Sequence, residues 1–163
     1  LLSEWLNPKS METGFNDKAR AFANAVAKIN TEKLLLKAAK NLEDLALDLN
    51  RSQMYDQGID AKGKQIGKYS EATVRIKQKK GQRTDHMTLS DTFKFYDKMF
   101  VNAKQFPILI DSKDSKTPML EEKYSENILG LTTENTKIYR EAVVLEVKKL
   151  FDATIEEHKK ILH

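Results

Sequence analysis

Between Gly81 and Phe100 the chain reads GQRTDHMTLSDTFKFYDKMF, with His86 beside Asp85 and four residues ahead of Ser90. These are the residue types of a nucleophile, its base and an orienting acid. Three residues so close in sequence rarely place those groups in line, and no glycine-flanked elbow surrounds Ser90, so the stretch is read as structural. The remaining histidines, His158 and His163, fall on the last turns of a C-terminal helical pattern, where cations suit the helix dipole. IEEHKK lacks the second histidine that a zinc-protease helix sets four residues away. The neighbouring acids Glu121 and Glu122, and Glu156 and Glu157, point about 100° apart on a helix and form no facing pair. GIDAKGKQIGK is rich in glycine and lysine without the order of a P-loop. The absence of cysteine removes thiol chemistry, disulfides and cysteine-held zinc, as suits a reducing cytosol. The expectation is a non-enzymatic protein with no catalytic residues, metal, cofactor or small-molecule substrate. An RNA-cleaving site made of His, Lys and Tyr would carry no short motif, and stays as an alternative.

Charge is the stronger signal. The whole chain carries +4, but residues 62–83, KGKQIGKYSEATVRIKQKKGQR, hold eight Lys and Arg against one Glu, leaving the remainder net acidic. A concentrated basic segment attracts polyanions or an acidic partner surface. Lys62, Lys64, Lys68, Arg75, Lys77, Lys79, Lys80 and Arg83 are the candidate contacts to a partner or to DNA. A solvated surface without a partner is the plainer reading of the same residues.

The elements that must position these residues follow from hydrophobic spacing. The 163 residues, 40% hydrophobic and 32% charged, suit one domain with a real core. No apolar run approaches the roughly 18 residues that span a bilayer, and the start shows no signal-peptide pattern, so no membrane partner is expected. The opening LLSEWLNPKS has no methionine. Residues 1–15 are read as an extension with Trp5 peripheral and Met11 a natural start, and 16–163 as the domain. Asn16 is expected to cap a helix carrying Phe22, Val26 and Ile29. After a break at Asn30–Thr31, Leu35, Ala38, Leu42, Leu45 and Leu49 form an amphipathic stripe to about Met54. That stripe packs on the domain or, in an adaptor, on a partner.

Glycines at 58, 63 and 67 end the helix and open a basic excursion over 58–83, tethered at Ile59, Ile66 and Tyr69. Ser70 caps a short surface helix ending at Gly81. KMFVNA and FPILIDS then alternate as strands of a tight hairpin, Pro107 favouring an edge. Leu120, Tyr124, Ile128, Leu129 and Leu131 anchor an irregular segment before Thr133 caps the last helix, whose Ile138, Val144, Val147, Phe151 and Ile155 share a face. There is no internal repeat. The fold class is α+β: long N- and C-terminal helices packed on a small antiparallel sheet, with a long basic loop and short helix between.

The opening stretch then has a structural explanation. Ser90 or Asp91 starts one helical turn by accepting from backbone amides, Thr92 adds hydroxyl bonding, Phe95 and Tyr96 anchor it, and Leu89 packs ahead as a staple. This layout resembles the L-x-x-T-G-x-L/F segment of phage virion-morphogenesis proteins, the head-to-tail connector and tail-completion group. The resemblance covers roughly residues 31–151, through LNRSQMYDQGID, GKYSEATVRIKQKKGQ, LSDTFKFYDKM, FPILID and YSENILGLTTE. Where the family's glycine follows the threonine, this chain has Phe93, which cannot take a positive φ cheaply, so a differently built turn is expected. The resemblance implies a non-enzymatic virion component of a phage or prophage at the neck or tail end. It would be made in a bacterial cytoplasm, form a ring with itself and neighbouring virion proteins, and carry a 58–69 loop that is mobile in the isolated chain and orders on assembly. In that setting the basic segment would meet an acidic neighbour or, without reading sequence, DNA. A basic nucleic-acid-binding protein or small RNA-cleaving toxin is the alternative.

Overall fold

The computed structural model describes the backbone of residues 8–161 and the side chains of 17–160. It is an α+β arrangement of helices α1 (Pro8–Ala27), α2 (Thr31–Asn41), α3 (Glu43–Tyr55), α4 (Glu71–Lys79) and the single turn α5 (Lys94–Asp97). Strands β1 (Met99–Asn102) and β2 (Leu109–Ser112) follow, then α6 (Thr117–Tyr124), a 3-10 turn (Glu126–Ile128) and α7 (Thr133–Ile161). Residues 1–7, with Trp5, lie outside the described residues, and the rest of the expected extension, 8–15, is the start of α1, which runs on through residue 16.

Helix α1 begins eight residues before Asn16, which therefore lies inside the helix and does not start it. The cap comes at the next break: Asn30 Oδ1 accepts from Lys33 N–H at 2.9 Å and opens α2. The single helix expected to Met54 is two, divided at Leu42 (φ −104°, ψ 21°). Lys40 in the last turn of α2 faces Glu43 in the first turn of α3, each sign suiting its own helix end, and the two form an ion pair.

The division shifts the buried face. Leu42, Leu45 and Leu49 are only half-buried and Leu35 is exposed, whereas Ala38, Ala39, Ala46, Leu47, Asn50, Gln53 and Met54 lie deepest. Helix α2 packs on α7, and α3 lies between α7 and β1, so contact falls on two sides of α3. Asn50 and Gln53 can sit fully buried because they serve a loop: Asn50 Nδ2 donates to the carbonyls of Ile128 (3.2 Å) and Gly130 (2.8 Å), and Gln53 Nε2 to Gly130 O at 2.6 Å. Gln53 Oε1 accepts from Thr132 N–H and from Asn135 Nδ2. The cap of α7 is Thr132, whose Oγ1 accepts from Asn135 N–H, one residue earlier than the expected Thr133.

The hairpin pairs Met99 with Ser112, Phe100 with Asp111, Val101 with Ile110 and Asn102 with Leu109. Met99 and Val101 point into the core and Leu109 is 53% exposed, as the alternation predicts. The connection, residues 103–108, is longer than a tight turn, and Phe106 and Pro107 lie in it. The outer edge of β1 is closed by Glu43, whose Oε1 accepts Val101 N–H at 2.8 Å. Two strands of four residues cannot stand alone, and α3 supplies the face they rest on.

The segment after β2 is more regular than expected, folding into α6 and a 3-10 turn whose Ile128 is fully buried. On α7 the inner face runs through Tyr139, Val143, Val147, Leu150 and Phe151. Ile138 and Val144, assigned to that face by spacing, are 45% and 60% exposed. The excursion after α3 is fastened to the body. Ile66 is buried and donates its N–H to Gly58 O, Ala61 N–H reaches Asn127 O, and Asp60 Oδ1 accepts from the amides of Lys62 and Lys64, each at 2.9 Å. The 58–69 loop is thus held by hydrogen bonds within itself and to the body of the fold.

Candidate interaction surface

The turn expected around Ser90 is present, but its construction differs. Neither Ser90 nor Asp91 caps α5. The residue ahead of the helix is Phe93, at φ 59°, ψ −4°, with no side-chain cap, so the expectation that a phenylalanine here would avoid a positive φ is overturned. Leu89 is also left-handed, at φ 51°. A non-glycine residue in this region costs roughly 1–2 kcal/mol, so the surroundings must hold the turn.

They do so through a buried polar web. Tyr69 OH accepts from Thr88 N–H and exchanges a second bond with Thr88 Oγ1, both at 2.9 Å. Ser90 N–H in turn reaches Thr88 Oγ1, and Tyr96 OH donates to Thr88 O. Burial first, then the neighbouring Tyr69 and Tyr55 phenols and Asp56, pushes the Tyr96 phenol well above its ordinary range, keeping it a neutral donor. Arg51 Nη2 donates to Tyr96 O at 2.9 Å, and Ser112 Oγ to Phe95 O. The Phe93 ring lies 5.5 Å from that of Tyr55 and 6.1 Å from that of Tyr96, centroid to centroid. Phe95 and Tyr96 are buried anchors as expected, and Leu89 packs on the core. Thr92 is exposed.

The basic residues divide into tied and untied groups. Lys77 is 6% exposed; its Nζ donates to Ser90 O at 2.6 Å and to Gln82 Oε1 at 3.1 Å, and lies 5.0 Å from the centre of the Tyr69 ring. Lys77 is therefore an internal brace between α4 and the turn, not a contact residue on a surface. Lys80 pairs with Asp91 at 2.7 Å, and this bond and charge hold the Asp91 carboxyl below its ordinary range. Arg83 spans Asp56 and Asp85 and donates to Tyr55 O, while Arg75 approaches Glu71 at 3.9 Å. Among the described residues, Lys62, Lys64, Lys68 and Lys79 are exposed and outside every ion pair, so half of the sequence candidates present unengaged charge.

His86 has both ring nitrogens engaged. Nδ1 lies 3.0 Å from Asp85 Oδ2 and Nε2 lies 2.8 Å from Tyr55 O, so the hydrogen bonds of His86 run to an acid and a carbonyl and do not link it to Ser90. The ring covers Gly58 (φ 67°), where an added Cβ would sit 2.5 Å from the imidazole. Sequence reasoning missed this contact. Its available signal was a glycine three residues past the end of a helix, a position that favours positive φ.

An open groove separates α4, the 89–95 turn and the start of α6, with a volume of about 630 Å³. Asp114, nearly buried at its rim, accepts from Lys116 N–H and pairs with Lys98 at 3.2 Å. The amide bond foremost, against a burial effect of opposite sign, and then Lys98 hold its carboxyl below the ordinary 3.8. Among the described residues there is no cluster of three or more His, Asp and Glu that could hold a metal, and no helix long and apolar enough to cross a membrane. Compared with protein-family models, with curated proteins and with solved structures, the chain has no match.

Proposed function

We propose that the chain is a non-enzymatic assembly protein of a phage or prophage virion. In this reading it is a head-tail neck or tail-completion component that forms a ring on its template after synthesis in a bacterial cytoplasm. The observation that carries this reading is the backbone at Phe93. The motif L-x-x-T-G-x-L/F aligns its glycine with this residue, and Phe93 adopts the left-handed conformation that a glycine takes most cheaply (φ 59°). The sequence departs from the motif while the backbone keeps the conformation the motif's glycine favours. The resemblance implies a long N-terminal helix and a loop ahead of the motif with strands and a final helix after it, and the order of elements here is compatible with that, with α6 and a 3-10 turn added before the last helix. Such a subunit needs surfaces for neighbours, and the half-exposed Phe106 and Leu109 of the hairpin and the untied lysines supply them.

A second reading, a basic nucleic-acid-binding protein, is favoured by one feature: Lys62, Lys64, Lys68 and Lys79 present charge that no carboxylate of the described residues neutralises. Contacts of this kind act on phosphates generally and carry no sequence information. Mass spectrometry of particles purified from the encoding phage or prophage separates the two. Peptides of this chain at a small fixed copy number per particle support the virion reading. Their absence from mature particles removes it and leaves nucleic-acid binding first.

A further inference from the structure

We propose that the groove between α4 and α6 docks an acidic amphipathic segment of a partner protein. The proposal deepens the assembly reading and rests on it only for the partner's being a virion protein.

Two features converge on this one cavity, its apolar lining and the sign of its rim. Ile76 and Met119 are 55% and 52% exposed and both line the groove, with Phe93 at its edge turning its ring towards Tyr55 and Tyr96. Ile76 and Met119 stand on separate helices, so the apolar surface belongs to the concavity and not to one helix face. Large side chains concentrated in a depression with a polar rim mark a docking site more than singly scattered ones do.

The rim has a sign. Its acids, Asp91 and Asp114, are already engaged by Lys80 and Lys98. Lys94 and Lys116 also line the groove and, among the described residues, take part in no ion pair. The start of α6 already has the Asp114 carboxylate on the Lys116 amide, so the positive sign of the rim rests on the Lys94 and Lys116 side chains. Lys77 forms part of the wall, held in place by Ser90 O. A ligand that satisfies both features carries apolar side chains along one stripe and carboxylates beside it, the helix-in-groove mode with acidic flanks.

The test uses a fluorescein-labelled helical peptide with leucines at i, i+3, i+4 and i+7 and glutamates elsewhere, and a counterpart with lysine for every glutamate, both read by anisotropy. The acidic peptide is expected to bind saturably and the basic one not. Ile76→Gln with Met119→Gln, and separately Lys94→Glu with Lys116→Glu, should each weaken the acidic peptide about tenfold. The charge-reversed protein should gain affinity for the basic peptide. All four positions are exposed, and glutamate beside a helix N-terminus is well tolerated, so unchanged thermal unfolding verifies that the variants fold. Absence of saturable binding, equal binding of both peptides, or affinity unmoved by the variants would overturn the proposal. Self-association abolished by the same substitutions would also overturn it, by assigning the groove to a second copy. Absence of the chain from particles would remove the virion reading while leaving the peptide result intact.

Discussion

Phe93 is the residue at which local preference and tertiary structure disagree most sharply. Its ring gains contact with Tyr55 and Tyr96 while its backbone sits where L-residues are strained. Comparing Phe93→Gly with Phe93→Ala separates the two effects, because both remove the ring and only alanine keeps a Cβ. Elsewhere alanine is the more stabilising of the pair through the unfolded chain, by about 0.4–1 kcal/mol. Here the order should invert, with Phe93→Gly more stable than Phe93→Ala by about 0.5–1 kcal/mol in urea unfolding. An alanine variant at least as stable as the glycine one would remove the left-handed backbone and with it the main support for the virion resemblance. Residue type alone points to a turn that avoids a positive φ at this position, and it points the wrong way because the ring contacts and the surrounding hydrogen bonds hold the left-handed backbone. Seven residues of turn are held by Tyr69, Lys77 and Arg51, partners from distant parts of the chain that no local pattern announces.

Among the elements, periodicity located both strands and the long helices in outline, missed α6 and the division at Leu42, and failed to find the inner face where packing is two-sided. Leu42, Leu45 and Leu49 looked like the inner face of α3, yet the deepest positions include Asn50 and Gln53. Those polar residues are inside because the 128–132 loop needs donors for its carbonyls and an acceptor for Thr132 N–H, a requirement set by residues some eighty positions away. The connection from β1 through β2 into α6 depends on an equally non-local group, Asp114, which ties Lys98 ahead of β1 to the start of α6. Its carboxyl is held below 3.8 in the folded protein, so the stability it contributes is fully present above that value. That contribution is lost as pH falls through the lowered folded value. Asp114→Asn should therefore lie furthest below the wild type in urea midpoint near neutral pH, and the gap should close on acidification below the carboxyl range. A gap independent of pH would mean that the hydrogen bonding of Asp114, and not its charge, holds α6.

At the scale of the whole molecule, the segment 62–83 is less basic in space than in sequence. Counting residues makes it strongly cationic, but folding buries Lys77, sets Lys80 against Asp91 and places Arg83 between Asp56 and Asp85. These acids lie outside or at the margin of the segment, which is why composition alone overstated the field. If the surface meets DNA, the distinction is measurable in the salt dependence. Each phosphate neutralised contributes about −0.9 to the slope of log K against log salt, so eight cations would give about −7 and four about −3.6. Replacing Lys62, Lys64, Lys68 and Lys79 by glutamine should therefore flatten the slope measured for duplex DNA by up to about 3.6. Replacing Lys77 should cost folding stability, since it leaves Ser90 O without its buried donor, and should leave the slope of the remaining folded protein nearly unchanged. A slope unmoved by the four substitutions would show that these lysines do not carry phosphate contacts. They would then serve protein neighbours, as the assembly reading requires.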